Sequence, residues 1–264
     1  MKTKRRKIIE VKNLVKKFGN FIAVNNISFD VYEGEILGFL GPNGAGKSTT
    51  IRILSTLLKP TRGKVKINGF ELLKNPDGVR KSIGLVAEKV ILYDLLTLRE
   101  NLEFFGALNH LSLKEIEKKI KFWVKKLKLE KWINHKVGTF STGMKQRVNI
   151  IRALLTEPKV LFLDEPSLGL DPQTTRLIRD FIKDLKKEGT TIILTTHDMH
   201  EAELLSDRVA IMDHGRIVAL DTPQNLKKLV KGVKNPTLED VFLHLTGRDV
   251  RDKIHSLTLR ARRF

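Results

Sequence analysis

A glycine-rich run between residues 41 and 49 has the spacing of a phosphate-binding loop. It fits the pattern G-x-x-x-x-G-K-[ST], and its residues are Gly41, Pro42, Asn43, Gly44, Ala45, Gly46, Lys47, Ser48 and Thr49. Glycines let successive amide N–H groups turn inward, and a following helix adds the positive end of its dipole. Lys47 supplies a point charge, and the Ser48 hydroxyl suits a magnesium ion between the last two phosphates. The run therefore predicts a triphosphate site.

Two carboxylates and an imidazole follow two other apolar runs. Asp164 and Glu165 end the run that begins at Val160, and His197 ends the run that begins at Thr191. In parallel α/β sheets, ligand-binding groups collect at the carboxyl ends of the strands. We expect Asp164 to hold magnesium through water and Glu165 to accept a proton from an attacking water. His197 is then placed to hydrogen-bond the leaving phosphate or that water.

Strand and helix patterns surround these groups. Residues 36–40 predict a buried parallel strand ahead of the glycine loop, and residues 48–54 predict the start of a helix after it. Other apolar runs predict strands at residues 8–11, 27–31, 63–69 and 82–87. The Asn68-Gly69 pair predicts a turn at the end of one of them. Three strand ends would thus converge on one phosphate site.

A helical segment interrupts the strands between about residues 92 and 156. Thr97 and Glu100 have the spacing of a capping box, which marks a helix N-terminus. Further along, a helical spacing places four apolar residues on one face, namely Ile116, Ile120, Trp123 and Leu127. We therefore expect an α/β protein with a parallel sheet core of the P-loop NTPase type, an antiparallel β subdomain and an inserted α-helical subdomain.

The composition limits the class of protein. The chain has 264 residues, enough for one large domain or two small ones with an ample core. It contains no cysteine, which excludes disulfides and thiolate metal sites and is compatible with a reducing cytoplasm. It has no run of about 18 apolar residues, and residues 1–7 do not lead into the apolar core of a signal peptide. We therefore expect a chain that neither spans a membrane nor is exported.

The net charge of +19 is open to three interpretations. Lysine and arginine concentrate in the first 17 residues, in residues 114–131 and in residues 248–263. A solvated, lysine-rich surface explains such runs without a partner. Attraction to an anionic membrane surface or to nucleic acid explains them equally well.

The segment from Phe140 to Arg147 resembles the signature motif of ATP-binding cassette (ABC) ATPases, Leu-Ser-Gly-Gly-Gln with its Gln-Gln-Arg extension. The matching positions are Ser141, Thr142, Gly143 and Met144. They would form a second anion site at a helix N-terminus. The resemblance extends from Ile8 to about Gly247, with the family's motifs in order. It implies a head-to-tail dimer in which two ATP molecules lie between the glycine loop of one subunit and the signature of the other.

Other residues acquire roles from the same resemblance. Phe18 matches the aromatic residue that stacks on adenine, although a lone aromatic residue is more often part of a core. Ser48 and Asp164 match the magnesium site, Glu165 the catalytic glutamate and His197 the switch histidine. The loop that crosses to the partner subunit is matched by Gly169, Leu170 and Asp171.

The chain also departs from the usual motifs. Glu88 stands where most members have a glutamine that senses magnesium and the attacking water; a carboxylate can still ligate the metal but adds negative charge. Thr142 and Met144 replace two signature residues, and Leu168 replaces the usual serine of the crossing loop. Glu88 and this signature resemble the residues found at the same positions in the drug-resistance-like exporter branch. Residues 236–247 resemble that branch's C-terminal ending, although their apolar face also fits an ordinary helix.

The resemblance implies a subunit that binds ATP and Mg²⁺ and drives export through a separate transmembrane permease. It implies a homodimer, or a heterodimer with a paralogue, bound peripherally at the cytoplasmic face of the membrane. The domain would cover residues 1–247 and the basic tail residues 248–264. Within the domain we expect a nucleotide-binding core, a helical subdomain and a C-terminal helical segment, at residues 1–91 with 157–220, 92–156 and 221–247 respectively.

Two other functions are compatible with the motifs. A soluble ABC ATPase that acts on nucleic acid or the ribosome would explain the charge. Relatives of that kind carry tandem cassettes, zinc-binding cysteines or long coiled coils, which are missing here, so we expect no nucleic-acid partner. An importer subunit is the other alternative. The transported substrate is not encoded in these motifs, because its site belongs to the membrane partner.

Overall fold

The computed structural model describes residues 5–247. In chain order the strands are β1 (Lys7–Phe18), β2 (Phe21–Tyr32), β3 (Ile36–Leu40), β4 (Arg62–Ile67), β5 (Phe70–Glu71), β6 (Ile83–Val86), β7 (Val160–Asp164), β8 (Thr191–Thr196), β9 (Arg208–Asp213) and β10 (Arg216–Asp221). The helices are α1 (Lys47–Leu54), α2 (Pro76–Ser82), α3 (Leu98–Leu108), α4 (Leu113–Lys126), α5 (Thr142–Leu154), α6 (Pro172–Lys187), α7 (Met199–Leu205), α8 (Pro223–Lys227) and α9 (Leu238–Thr246). Short 3₁₀ turns cover Glu130–Trp132 and Val137–Thr139.

The central sheet has the strand order β10-β9-β3-β8-β7-β6 within residues 5–247. Neighbouring strands from β9 to β6 run parallel, and β10 pairs antiparallel with β9 at one edge. The strand β3 lies beside β8, and β8 lies beside β7. This order brings the ends of these three strands together, as the sequence predicted.

Both faces of the central sheet are buried, and alternate residues of each strand pack on opposite sides. Phe162 of β7 packs with the antiparallel sheet and α1, whereas Leu161 and Leu163 pack with the helical insert. Burial on both faces explains why β3, β7 and β8 are apolar runs without alternation. Packing on both faces of the sheet therefore fixes the positions of the strand ends.

A second, antiparallel sheet has the order β2-β1-β4-β5 in the described part of the chain. The strands β1 and β2 are longer than the apolar runs at residues 8–11 and 27–31. They continue up to the Gly19–Asn20 turn through segments in which Leu14, Val15, Ala23 and Val24 are buried and the other residues are partly or fully exposed. The predicted turn after β4 is present, since Asn68 and Gly69 have positive φ angles of 47° and 86°. The prediction of an α/β fold with an antiparallel β part and a helical insert is confirmed.

The helices α3, α4 and α5 form the insert between β6 and β7. Thr97 and Glu100 make the predicted capping box of α3. The predicted apolar face is buried at Ile116, Ile120, Trp123 and Leu127. The lysines at positions 114, 118, 121 and 125 face solvent on the opposite side of α4. Because the apolar residues of α4 lie on one side and its lysines on the other, burial of the apolar side holds the insert against the sheet.

The C-terminal helices α8 and α9 pack on the β9 side of the central sheet. Leu238, Val241 and Phe242 are buried there with Leu40 and Ile211, so the predicted apolar helix face is present. No helix within residues 5–247 has the length and apolar character needed to cross a bilayer. The basic tail at residues 248–264 lies outside the described residues, and the proposed domain limits stay predictions.

Candidate functional site

The glycine loop joins β3 to α1 in a backbone shape that requires glycine. Gly44 and Gly46 have φ angles of 81° and 100°, and Gly46 is the N-cap of α1. A Cβ atom on Gly46 would lie 2.4 Å from the carbonyl oxygen of Ala23 in β2, and one on Gly41 would lie 2.3 Å from that of Met212 in β9. The loop is therefore enclosed by strands of both sheets. Its shape cannot tolerate side chains at these two positions.

Lys47 is the first residue of α1 and is buried, with 4% of its surface exposed. Its ammonium group donates hydrogen bonds to the carbonyl oxygens of Gly41 at 2.7 Å and Pro42 at 3.2 Å. It also lies 3.4 Å from a carboxylate oxygen of Glu165. The positive charge is thus held at the mouth of the loop, where the N–H groups of α1 begin.

Ser48 and Asp164 meet although 116 residues separate them in sequence. The Ser48 hydroxyl donates to Oδ1 of Asp164 at 2.9 Å, and the Thr195 hydroxyl donates to the same oxygen at 2.6 Å. Asp164 is buried at the end of β7. The strands β3, β7 and β8 therefore do converge on one set of oxygen atoms.

Glu165 follows directly and adopts a left-handed backbone conformation with φ of 50°. Its N–H group donates to the Thr195 carbonyl oxygen at 3.1 Å and lies 3.0 Å from the Thr195 hydroxyl. Its carboxylate lies 2.9 Å from Nδ1 of His197. Since an ionised carboxylate only accepts hydrogen bonds, Nδ1 carries the proton in this pair. The second ring nitrogen, Nε2, is then available for a ligand.

A cleft of about 400 Å³ lies over the loop. It is lined by residues 42–49 together with Phe21, Ala23, Glu88, Glu165, Leu168 and His197. Among the predicted residues, Glu88 thus shares the cleft with the loop and the acid–imidazole pair. Phe18 does not belong to this lining; it is half-exposed at the end of β1, opposite Phe21 and with the Lys16 ammonium 4.9 Å from its ring centre.

The signature segment lies apart from this cleft. Ser141 is the N-cap of α5, and its hydroxyl accepts the Met144 N–H at 3.2 Å. Ser141 and Thr142 are exposed, whereas Gly143 is buried against Thr174 of α6. Ser141, Thr142, Gly143 and Met144 are absent from the cleft lining. One copy of the chain therefore keeps the two sets of predicted phosphate-binding groups apart.

The predicted crossing loop lies between Glu165 and α6. Leu168 is half-exposed and lines the cleft, Gly169 has φ of 70°, and Leu170 packs partly against the core. Asp171 is the N-cap of α6 and accepts the Thr174 N–H at 2.9 Å. Hydrogen bonds from the Thr174 side chain and backbone hold the pKa of Asp171 below its usual value. Asp171 is thus anionic at neutral pH.

Several residues of the site belong to none of the sequence motifs. Phe21 and Ala23 line the cleft because β2 crosses beside the loop, which a motif search along the chain cannot detect. Thr195 belongs to the apolar run of β8, and no pattern in the sequence indicates that its hydroxyl contacts Asp164. Gln146 of α5 donates to the Pro166 carbonyl oxygen at 3.0 Å and so attaches the signature helix to the loop after Glu165. Neighbouring Arg147 is half-buried, and desolvation lowers its pKa from the ordinary value.

The arrangement suits cleavage of a phosphoanhydride by water. It combines buried donors for phosphate at Lys47 and the α1 N-terminus, a carboxylate aimed at an imidazole, and a hydroxyl–carboxylate pair at Ser48 and Asp164. Hydroxyl and carboxylate oxygens are ligands that Mg²⁺ accepts together with substrate phosphates. Among residues 5–247 there is no group of three or more His, Asp or Glu side chains that could hold a metal ion.

Known proteins share this sequence and fold. The model of the ABC transporter family matches residues 24–168. A "Doxorubicin resistance ATP-binding protein" of Mycobacterium tuberculosis is 39% identical over 89% of this chain and 68% of its own length. A "Linearmycin resistance ATP-binding protein" of Bacillus subtilis is 38% identical over 93% of this chain and 76% of its own length.

A solved structure has the same fold. The dimeric, post-hydrolysis structure of the ATP-binding cassette MJ0796 bound to ADP and phosphate has a TM-score of 0.74 and 32% identity, and covers 81% of this chain and 98% of its own. With the cleft described above, these similarities show that the chain belongs to the ABC transporter family, as an ATP-binding and ATP-hydrolysing subunit of the drug-resistance type.

Proposed function

We propose that this subunit drives export of a substrate through a separate transmembrane permease. Its similarity to two antibiotic-resistance ATP-binding proteins over about nine-tenths of the chain carries this proposal, because resistance by transport requires outward movement. The transported molecule is recognised by the permease and not by this chain.

In the proposed reaction, Lys47 and the N–H groups of the glycine loop bind the triphosphate, and Glu165 accepts the proton of the attacking water. The Glu165–His197 contact of 2.9 Å supports this assignment, since it fixes the direction of the carboxylate. His197 then has two modes open to it. Neutral Nε2 accepts a hydrogen bond from the attacking water, whereas protonated Nε2 donates one to the leaving phosphate.

Ser48 and Asp164 would hold a magnesium ion, and Glu88, which lines the same cleft, would be a further ligand. Their shared place at the loop supports this set, because Ser48 and Glu88 line the cleft and Asp164 bonds to Ser48. Magnesium held there would supply positive charge to neutralise the phosphates. Glu88 adds a negative charge that a glutamine would not, so we expect it to raise the dependence on the metal.

The exposed signature segment supports a head-to-tail dimer. Ser141 and the N-terminus of α5 form an anion-binding end that lies outside the cleft. A second copy, or a paralogue, would place its own signature over this cleft, and the signature of this chain would cover the partner's cleft. ATP would then favour the closed dimer because it binds the closed state better than the open one.

A permease would dock on the apolar surface beside Glu88. This docking surface consists of Ile91, Tyr93, Leu95, Phe104 and Leu108, all of which are between 40% and 82% exposed. The loop that carries it is anchored, because buried Asn101 of α3 exchanges hydrogen bonds of 2.8 and 3.0 Å with the backbone of Tyr93. Exposed apolar patches of this kind are typical of protein interfaces. Motion of the insert would thus reach the partner directly.

Docking on a permease would place the chain peripherally at the cytoplasmic face of the membrane. The charge of +19 is favourable there, because the cytoplasmic leaflet carries anionic lipids. The solvent-facing lysines of α4 are part of this charge. A lysine-rich solvated surface would have the same composition, so location is tested by the partner and not by the charge.

Site-specific photocrosslinking in native membranes tests the docking surface. A photoreactive residue at Leu95, which is 82% exposed, should capture a multi-span membrane protein in the presence of ATP. The matched control is Leu229, which is 45% exposed in the C-terminal segment and should not. Capture of ribosomal or nucleic-acid-bound proteins alone would instead support the soluble ABC ATPase.

Transport in inverted membrane vesicles tests the direction. Once a partner is known, vesicles that carry both proteins should accumulate its substrate only with ATP, because the cytoplasmic face is then outside. Uptake into right-side-out vesicles or cells that depends on ATP would show import and contradict the proposal.

A further inference from the structure

Thr195 contacts both acidic residues of the site. It lies in β8, its exposed fraction is 0%, and its hydroxyl oxygen is the donor to Asp164 Oδ1 at 2.6 Å. The same oxygen accepts the N–H of Glu165 at 3.0 Å. A hydroxyl has one proton to donate and lone pairs to accept, so both bonds form together. One buried hydroxyl thus joins β8 to the end of β7.

The bond to Asp164 fixes how its carboxylate is turned. Oδ1 accepts two hydroxyl protons, from Ser48 on the loop side and from Thr195 on the β8 side. Two donors on one oxygen define the plane of the carboxylate, whereas one donor would leave it free to rotate. Charge-assisted bonds of this kind are short and strong. The bond from Thr195 remains when Ser48 turns towards another ligand.

The bond to Glu165 supports a backbone conformation that is unfavourable for this residue type. A non-glycine residue at φ of 50° is uncommon and needs support from its surroundings. Thr195 provides that support through its carbonyl and its hydroxyl, since both accept the Glu165 N–H. This conformation sets the direction in which the Glu165 side chain leaves β7. That side chain reaches both Lys47 and His197.

We propose that Thr195 is a positioning residue for ATP hydrolysis, whose hydroxyl sets the orientation of Asp164 and Glu165 together. This inference rests on the proposed function, because it takes Glu165 as the base and Asp164 as the holder of the metal. Residues that orient a metal ligand through hydrogen bonds commonly change affinity or activity by about ten- to a hundredfold. Thr195 acts through its neighbours and needs no contact with ATP.

The test replaces the hydroxyl and keeps the shape. Thr195→Val removes both bonds, and Thr195→Ser retains the hydroxyl. The matched control is Thr191→Val, because Thr191 lies on the same strand, is equally buried, and accepts the Gly34 N–H at 3.0 Å without touching a carboxylate. Thr195→Ala is the second variant if valine prevents folding.

We expect kcat of Thr195→Val to fall by about ten- to a hundredfold, with KM for ATP changed much less. Binding of a non-hydrolysable ATP analogue should need more Mg²⁺ for half-saturation. Thr195→Ser should recover most of both quantities, and Thr191→Val should change neither while losing similar thermal stability. Equal kcat values for the two valine variants, or no recovery in serine, would overturn the inference.

Two further variants separate this inference from the proposed function. Glu165→Gln and Asp164→Asn should each abolish most hydrolysis if those roles are correct. If they do, and Thr195→Val resembles Thr191→Val, the inference about Thr195 alone is wrong. If they hydrolyse ATP at the normal rate, the assignment of the site itself is wrong.

Discussion

The two regions of this chain with predicted phosphate-binding groups are built in opposite ways. At the glycine loop, Lys47, Ser48, Asp164, Glu165 and Thr195 form one bonded network, and four of them are less than 10% exposed. At the signature segment, Ser141 is exposed and its hydroxyl caps its own helix. The side chains at the glycine loop find their hydrogen-bond and ion-pair partners within one chain. The solvent-facing N-terminus of α5 instead leaves N–H groups available to a ligand or to a second subunit.

This contrast supports different roles for the two regions. The cleft would carry the chemistry, and the signature segment would sense whether a second subunit is present. The two regions are not independent, because Gln146 links α5 to the backbone after Glu165 at 3.0 Å. Changes in the cleft should therefore reduce hydrolysis within each chain, whereas changes at the signature should act across the dimer.

The strongest prediction concerns Glu165. Glu165→Gln should bind ATP yet lose about a hundred- to ten-thousandfold in hydrolysis, because an amide cannot accept the proton of the attacking water. The ATP-bound dimer should then accumulate, which size-exclusion chromatography with ATP measures. Lys47→Ala is the counterpart and should lose tight ATP binding and form no such dimer. Hydrolysis by Glu165→Gln at the normal rate would contradict the role of the base.

A second prediction concerns the signature segment. Ser141→Glu should lower hydrolysis by about tenfold or more, since a carboxylate would face phosphate across the interface, while ATP binding to the single chain remains. Ser112→Glu is the control, because Ser112 is likewise an exposed N-cap in the insert.

Mixing Ser141→Glu with Lys47→Ala then tests the head-to-tail arrangement. Each mixed dimer has one composite site with an intact loop and an intact signature, so we expect activity that neither variant has alone. Absence of such recovery, with both variants folded and mixed dimers demonstrated, would show that the signature acts within its own chain.

A third prediction compares the packing of the two regions. Gly46→Ala should cost about 2–4 kcal/mol, because its Cβ would lie 2.4 Å from a backbone oxygen and φ is positive. Gly169→Ala in the crossing loop should cost about 1–2 kcal/mol, since only the positive φ is unfavourable and no atom lies within 4 Å. Urea denaturation measures both. Equal costs would mean that the loop is less tightly enclosed than described.

The smallest effect is a pH dependence at Asp171. Its pKa is lowered by the Thr174 hydrogen bonds, so the folded chain binds fewer protons there than the unfolded chain. The stabilisation is therefore present above the ordinary pKa of about 3.9 and is lost as pH falls through the lower folded value. Asp171→Ala should lower the melting temperature at pH 7 and have little effect at the acid limit. Exposed Asp180 of the same helix is the control, and a pH-independent effect at Asp171 would contradict the prediction.

Much of the fold was predictable from local patterns. The apolar runs at β3, β7 and β8 are unbroken because both sheet faces are buried, and such runs are detectable in sequence. The capping box at Thr97 and the turn at Asn68 depend on residues three or fewer positions apart. Strand ends were less predictable, since β1 and β2 continue into segments where buried residues such as Leu14 and Val24 are mixed irregularly with exposed ones, and the pairing of the two strands keeps these segments extended.

The sequence by itself determined the class of chemistry. The glycine loop with Lys47 and the acidic pair at 164–165 predict a nucleotide-hydrolysing site, and the segment 141–144 adds the resemblance to ABC cassettes; each motif is a short contiguous segment. Tertiary structure alone decided what surrounds these motifs. Phe21 enters the cleft and Thr195 reaches Asp164 because the strands are neighbours in space and not in sequence. Such contacts between strands depend on the order of the sheet, which no local pattern encodes.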